Sequence, residues 1–177
     1  MDAKGRTMIF IGIDPGANKT GYAVLYKWGN ELNNVCYHGE CALHDLKNRL
    51  TIIEDPDIRE NIVVFIEHWK TTFRRAKAHQ SHVKQIKKII RELWPRKNEV
   101  YSIEPEVWKA GMLKHLPGNT KEQSIMRAKI DGYEPKSHNE ADAINILNYG
   151  IANYSMLKRA VEFTKMITKK AKGGKGK

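Results

Sequence analysis

The chain predicts an α/β domain, a mixed sheet flanked by helices, and three observations carry that prediction. Short apolar runs rich in Ile, Val and Phe recur between turn signals, as strands do. The first three fall before any helical pattern begins. From there strands alternate with segments of helical periodicity, giving the order β-β-β-α-β-α-β-α-α. The 177 residues suffice for one domain with a real core and leave little room for a second.

Met8 to Asp14 alternates little and reads as a central strand buried on both faces. Pro15-Gly16 breaks it, and Asn18 with Lys19 completes a turn. Thr20 to Tyr26 follows closely enough to pair with it as an antiparallel hairpin. Asn30 to Asn34 reads as a polar turn, and 35–43 as a third strand. Leu43, Leu46, Leu50 and Ile53 then take helical spacing. Asn61 to Glu67 (NIVVFIE) is the most strand-like stretch in the chain. In residues 74–94, Val83, Ile86, Ile89, Ile90 and Leu93 define an amphipathic helix whose other face is strongly basic. Glu99 to Ile103 is a fifth strand, with Pro105 at a helix start. Thr120 and Gln123 form a capping-box pattern for the next helix, and Gly132 ends it. A last helix covers 139–153, and its pattern continues through Leu157 and Val161. The expected division is one domain over 1–160 and a basic, flexible tail over 161–177.

Charge narrows the function. The net charge is +11, but residues 70–98 hold ten Lys/Arg against one Glu, and residues 155–177 hold eight against one. The rest of the chain is mildly acidic. Such segregation suits a polyanion, most commonly nucleic acid. No apolar run is long enough for a membrane span. The N-terminal apolar stretch reaches Asp-Pro-Gly after five residues, which argues against a signal peptide. With only two cysteines, a cytoplasmic, non-secreted protein is expected. Cys36, His38, Cys41 and His44 match no standard zinc spacing, and strand alternation sends the two cysteines to opposite faces.

Three acidic residues stand where packing alone would not put them. Asp14 and Glu67 each end a buried strand, and Asp142 lies between Ala141 and Ala143 on the apolar side of the last helix. Buried carboxylates are normally paired, hydrogen-bonded or metal-bound. If parallel strands set Asp14 beside Glu67, a divalent cation relieves their repulsion. His138 and Asn139 share a helix face with Asp142, whereas Glu140 points elsewhere. Oxygen ligands suit Mg²⁺ or Mn²⁺. Taken singly, each has an ordinary reading: Asp14 as a turn residue, Glu67 as an exposed strand end, Asp142 as a helix cap or lysine partner.

IGIDPGANKTGYAVL closely resembles the opening hairpin of RuvC-type Holliday-junction resolvases. VVFIEHW resembles the strand of that family that ends in a catalytic glutamate, and HNEADAINILNYG its last helix. The likeness spans roughly residues 8–153 in order and spacing; chain size and the EPEVWKAG segment look more like the phage-encoded branch. The resemblance implies an RNase H-like fold with a five-stranded mixed sheet, a homodimer, and metal-dependent cleavage of four-way DNA junctions in a bacterial nucleoid or phage-infected cell. By motif, Asp14, Glu67 and Asp142 become catalytic metal ligands. The family often has an acidic or His ligand three residues before the last aspartate; here that residue is Asn139, with His138 as the alternative. Two Mg²⁺ ions about 4 Å apart, with Mn²⁺ as substitute, would share Asp14, with Glu67 on one and Asp142 on the other. Lys109 and Lys121 stand where the family tends to place basic residues near the scissile phosphate.

Lys70, Arg74, Arg75, Lys77 and Lys84, with Lys87 and Lys88, are candidate phosphate contacts. Trp69 and Phe73 are candidates to stack on unpaired bases, or equally to pack at a dimer interface. No small-molecule cofactor is expected. Actin-like and sugar-kinase ATPases share a similar opening but need phosphate and adenosine loops that are not found here. A non-catalytic nucleic-acid binder would gain nothing from three carboxylates facing phosphate. An RNase H-like nuclease acting on RNA or another branched DNA stays open.

Overall fold

The parity of two neighbouring strands decides where everything else goes. In the computed structural model, which describes residues 8–28, 31–51, 62–69, 74–95 and 98–173, β1 (Met8–Asp14) sits at the centre of a five-stranded sheet. The order is β3-β2-β1-β4-β5. The other strands are β2 (Thr20–Trp28), β3 (Glu31–Cys41), β4 (Ile62–Glu67) and β5 (Asn98–Ile103). β1, β2 and β3 pair antiparallel; β1 with β4 and β4 with β5 pair parallel. This is the mixed sheet the sequence predicts.

Side chains alternate along each strand, so β1 and β4 feed two separate cores. Ile9, Ile11 and Ile13, with Ile62, Val64 and Ile66, pack beneath α1 (Leu46–Thr51) and α2 (Arg74–Leu93) through Leu46, Leu50, Val83, Ile86 and Ile90. Phe10, Val63 and Phe65 face the opposite layer. That layer holds α3 (Pro105–Met112), α4 (Thr120–Ile130) and α5 (His138–Ala152). Asp14 and Glu67 share the parity of Phe10 and Phe65, so both carboxylates end up on the α5 side.

Close approach of α5 to the sheet is possible because two strand residues lack side chains. A Cβ at Gly12 would overlap the Ala143 carbonyl and the Leu147 Cβ, and one at Gly21 would overlap the backbone of Asn139. The N-terminal turn of α5, which carries Asn139 and Asp142, is thereby seated directly on β1 and β2.

Three expectations shift. Residues 31–34, read as a turn, continue β3, because Lys27 pairs Leu32 and Trp28 pairs Glu31; sheet pairing outweighs their polar composition. The cap of α4 moves back one residue: Asn119 accepts from the backbone N–H of Lys121 and Glu122, and the Glu122 carboxylate accepts from the Asn119 N–H at 2.9 Å. Asn-x-x-Glu prevails over Thr-x-x-Gln because a charged carboxylate is better placed against the positive end of a helix. The last helical pattern divides at Asn153 into α5 and a separate α6 (Tyr154–Gly173), which runs on into the basic segment. Among the described residues, no helix is long and apolar enough to cross a membrane.

Candidate active site

Beyond the last paired rung of β1 and β4, Ile13 opposite Ile66, the next residues are Asp14 and Glu67. They stand 6% and 4% exposed, a low value for any carboxylate. Together with Asp142 they line one cleft of about 550 Å³. Pro15, Gly16, Ala17, Lys109, His138 and Asn139 also line it, as do Trp69, Ala78, His79 and His82.

The electrostatics are those of a site short of positive charge. Burial, then the charges of Glu67 and Asp142, push the Asp14 carboxyl well above the usual range; Lys109 works the other way. No described side chain donates a hydrogen bond to Asp14. Burial also raises Asp142, to about 6, against the Ser124 hydroxyl bond and the Lys109 and Lys121 charges. His138 is held below the ordinary imidazole value by burial and by Lys121.

Every other oxygen donor in the cleft is aimed by a neighbour. Glu67 Oε2 accepts from the Trp108 indole N–H at 2.8 Å, and Oε1 accepts from the Trp69 indole N–H at 2.8 Å. Ser124 donates to Asp142 Oδ1, and the buried Asn145 amide donates to the Ser124 hydroxyl at 2.8 Å and its carbonyl at 3.0 Å. With its lone pair engaged by Asn145, the Ser124 hydroxyl is left to donate toward Asp142. Asn139 Nδ2 donates to Glu40 Oε2 at 3.3 Å. A carboxylate can only accept, so Glu40 dictates which end of the Asn139 amide it meets, and the carbonyl oxygen turns toward Gly16 and the cleft. Glu40 is itself kept below the usual carboxylate range, chiefly by the Lys19 ammonium at 2.6 Å.

All-oxygen donors, a carboxylate pair in mutual repulsion and a buried Asp14 that receives no donor from the described side chains fit hard divalent cations. Among the described residues no three His, Cys, Asp or Glu side chains are grouped so as to hold one ion. The carboxylates line the cleft while each of Glu67 and Asp142 is turned to its own anchor.

The remaining expected residues fall out as follows. Lys109 lines the cleft, its ammonium 5.1 Å from the Trp108 ring centre. Lys121 is exposed at the start of α4, outside the cleft lining but close enough to act on Asp142 and His138. Lys77 and Lys84 are exposed on α2. Lys87 turns to the body and donates to Ser102 at 2.9 Å, and Lys88 lies 3.9 Å from Glu92. Lys70 and Phe73 lie outside the described residues, as do the side chains of Arg74, Arg75 and Cys36. Cys41 is buried in the α2-side core, His38 meets Glu140 at 2.5 Å, and His44 is exposed, so these three do not gather around a metal. Glu140, as expected, points away from the cleft.

Trp108, Ser124, Asn145, Glu40 and His79 were not singled out by sequence. Their partners lie far along the chain, and only a buried polar residue within an apolar helix face, Asn145, offered a local signal.

No family model matches the chain, and no curated protein matches it. Among solved structures it is similar to Thermus thermophilus RuvC, at 16% identity and a TM-score of 0.59, over 84% of this chain and 96% of that one. It is likewise similar to Thermus thermophilus RuvC in complex with a Holliday junction substrate, at 15% identity and a TM-score of 0.58, with the same coverage. The five-stranded mixed sheet flanked by helices is thus the fold of RuvC.

Proposed function

We propose that this chain is a structure-selective endonuclease that resolves four-way DNA junctions by paired nicks, using Mg²⁺ or Mn²⁺. The observation that carries the reading is the arrival of Asp14, Glu67 and Asp142 in one cleft, from two adjacent parallel strands and the helix laid across them. Fold likeness to a protein solved with a Holliday junction supports the substrate class.

In this reading Asp14, Glu67 and Asp142 would together hold the divalent cations, with Asp14, flanked by both other carboxylates, at the centre of the set. The Asn139 carbonyl oxygen, aimed by Glu40, is the fourth donor, and His138 stands beside it. Two ions held there supply an activated water and charge neutralisation at the leaving 3′ oxygen. Lys109 offers its ammonium to the scissile phosphate from the cleft wall, with Lys121 adding positive field from outside. Exposed lysines of α2 bind the flanking backbone. Paired nicks on two strands need two such sites, hence a homodimer.

The test incubates the protein with synthetic four-way junction, duplex, flap and RNA–DNA hybrid. The junction should be nicked symmetrically in Mg²⁺ or Mn²⁺ and left whole in EDTA. Cleavage in EDTA would sink the cation mechanism, and preference for the hybrid would move the substrate to RNA.

A second measurement addresses the basic helix. Lys77→Ala with Lys84→Ala should weaken junction and duplex binding alike. The slope of log K against log salt should flatten by about 0.9 for each phosphate no longer neutralised. An unchanged slope takes both lysines off the DNA.

A further inference from the structure

Glu67 is held at both oxygens by indoles of opposite character. Trp108 is fully buried, packed in the core beneath α5, whereas Trp69 is 39% exposed at the cleft rim. Behind Trp69 lies His79 of α2, its ring centre 5.8 Å from the indole. His79 is bonded to the backbone carbonyl of Glu67, so one ring nitrogen donates there. The other, Nε2, is buried with no hydrogen-bond partner among the described residues.

These contacts make the seat of Trp69 two-sided. Its N–H gains a bond to a charged acceptor, which favours staying. Its ring lies beside an imidazole whose buried Nε2 lacks a donor among the described residues, and a departing indole would relieve that cost. The two contributions are of the same order, so a modest external pull decides between them. The seated indole also draws negative charge from Glu67 Oε1, the oxygen not anchored in the core.

We propose that Trp69 couples substrate to cation: when its indole leaves Glu67 to stack on an unpaired base, Oε1 is freed for the ion and His79 Nε2 is opened to a donor. Trp108 keeps its bond throughout and holds the carboxylate in place. The inference rests on the junction-resolvase reading above and deepens it. A branch point offers unstacked bases and intact duplex does not, so the cation site strengthens where the substrate is branched. Linkage makes the effect reciprocal, with the cation tightening the grip on branched DNA.

The experiment measures Mn²⁺ binding to DNA-free protein from the loss of the free-ion EPR signal. Trp69→Phe, which keeps the ring and removes the N–H, should bind Mn²⁺ about three- to tenfold more tightly than wild type. Trp108→Phe should bind it more weakly by a comparable factor, since outer-shell donors orient ligands. Trp69→Phe should also narrow the ratio of junction to duplex cleavage in single-turnover assays. Unchanged or weaker Mn²⁺ binding in Trp69→Phe, or an unchanged cleavage ratio, overturns the proposal. Asp14→Asn separates the two levels: if it binds Mn²⁺ as wild type does, the cation reading itself fails and the coupling falls with it.

Discussion

Asp14→Asn should leave four-way junction binding within about twofold of wild type and lower single-turnover cleavage by about a thousandfold or more, the loss expected if Asp14 is the proposed shared cation ligand. Asparagine keeps the size and one oxygen but supplies no negative charge. The same substitution removes a carboxyl group whose charged form burial and two neighbouring charges disfavour. In EDTA the variant should therefore melt several degrees above wild type, since roughly 1 kcal/mol moves the melting temperature of a domain this size by about 2–4 °C. Added Mn²⁺ should raise wild type and leave the variant nearly unmoved. Gel-shift, cleavage and melting together check the prediction. A variant that cuts normally, or melts well below wild type in EDTA, would show that Asp14 serves the fold.

Without a cation, stability should fall as pH rises through about 6. Asp142 titrates near 6 in the folded chain against 3.8 in its ordinary state. Between those values the folded form holds a proton that the unfolded form has lost. Its contribution is complete below about pH 4 and is lost as pH rises through 6, a swing on the order of 2–3 kcal/mol. Asp14, raised in the same direction, adds to it. Glu40 and Glu99 are lowered by their partners and oppose it as pH falls. The clean readout is accordingly the difference between wild type and Asp142→Asn across pH 4.5–7.5 in EDTA. That difference should shift in favour of the variant as pH rises to about 6 and level off above it; a difference flat over the whole range would assign the titration elsewhere. With Mg²⁺ present the sign reverses in function, because cation and proton compete for one carboxylate, and cleavage should climb through the same range.

Much of this was legible in the residues. A carboxylate closing IFIGID or IVVFIE is conspicuous, because nothing apolar explains it, and Ala-Asp-Ala repeats the anomaly on a helix. The central strands were legible from pattern, since β1 and β4 are buried on both faces and read as unbroken apolar runs. What sequence could not yield was aim. Trp108 reaches Glu67 across 41 positions, Ser124 reaches Asp142 across 18, and Asn139 reaches Glu40 across 99. No local pattern encodes such contacts; they exist only once α3, α4 and α5 are packed on the sheet. Trp69 was picked out as an aromatic near the site, but its bond to Glu67 was not, since residues two apart on an extended chain usually point the same way without meeting. The capping residue of α4 was missed by one position for a different reason: two adjacent motifs both satisfied the rule, and charge decided.

The hydrogen-bond ladder joining β1 to β4 also sets a limit on how this chain can change. Because side chains alternate, one residue inserted between Met8 and Ile13 would turn Asp14 toward the hydrophobic core under α2. Two inserted residues would restore the face yet displace the carboxylate by about 6.6 Å relative to Glu67. Neither outcome can be repaired by a nearby substitution. Insertions and deletions are thus barred from these two strands and confined to the connections, so the spacing within IFIGID and IVVFIE should persist in descendants whose every other residue has drifted.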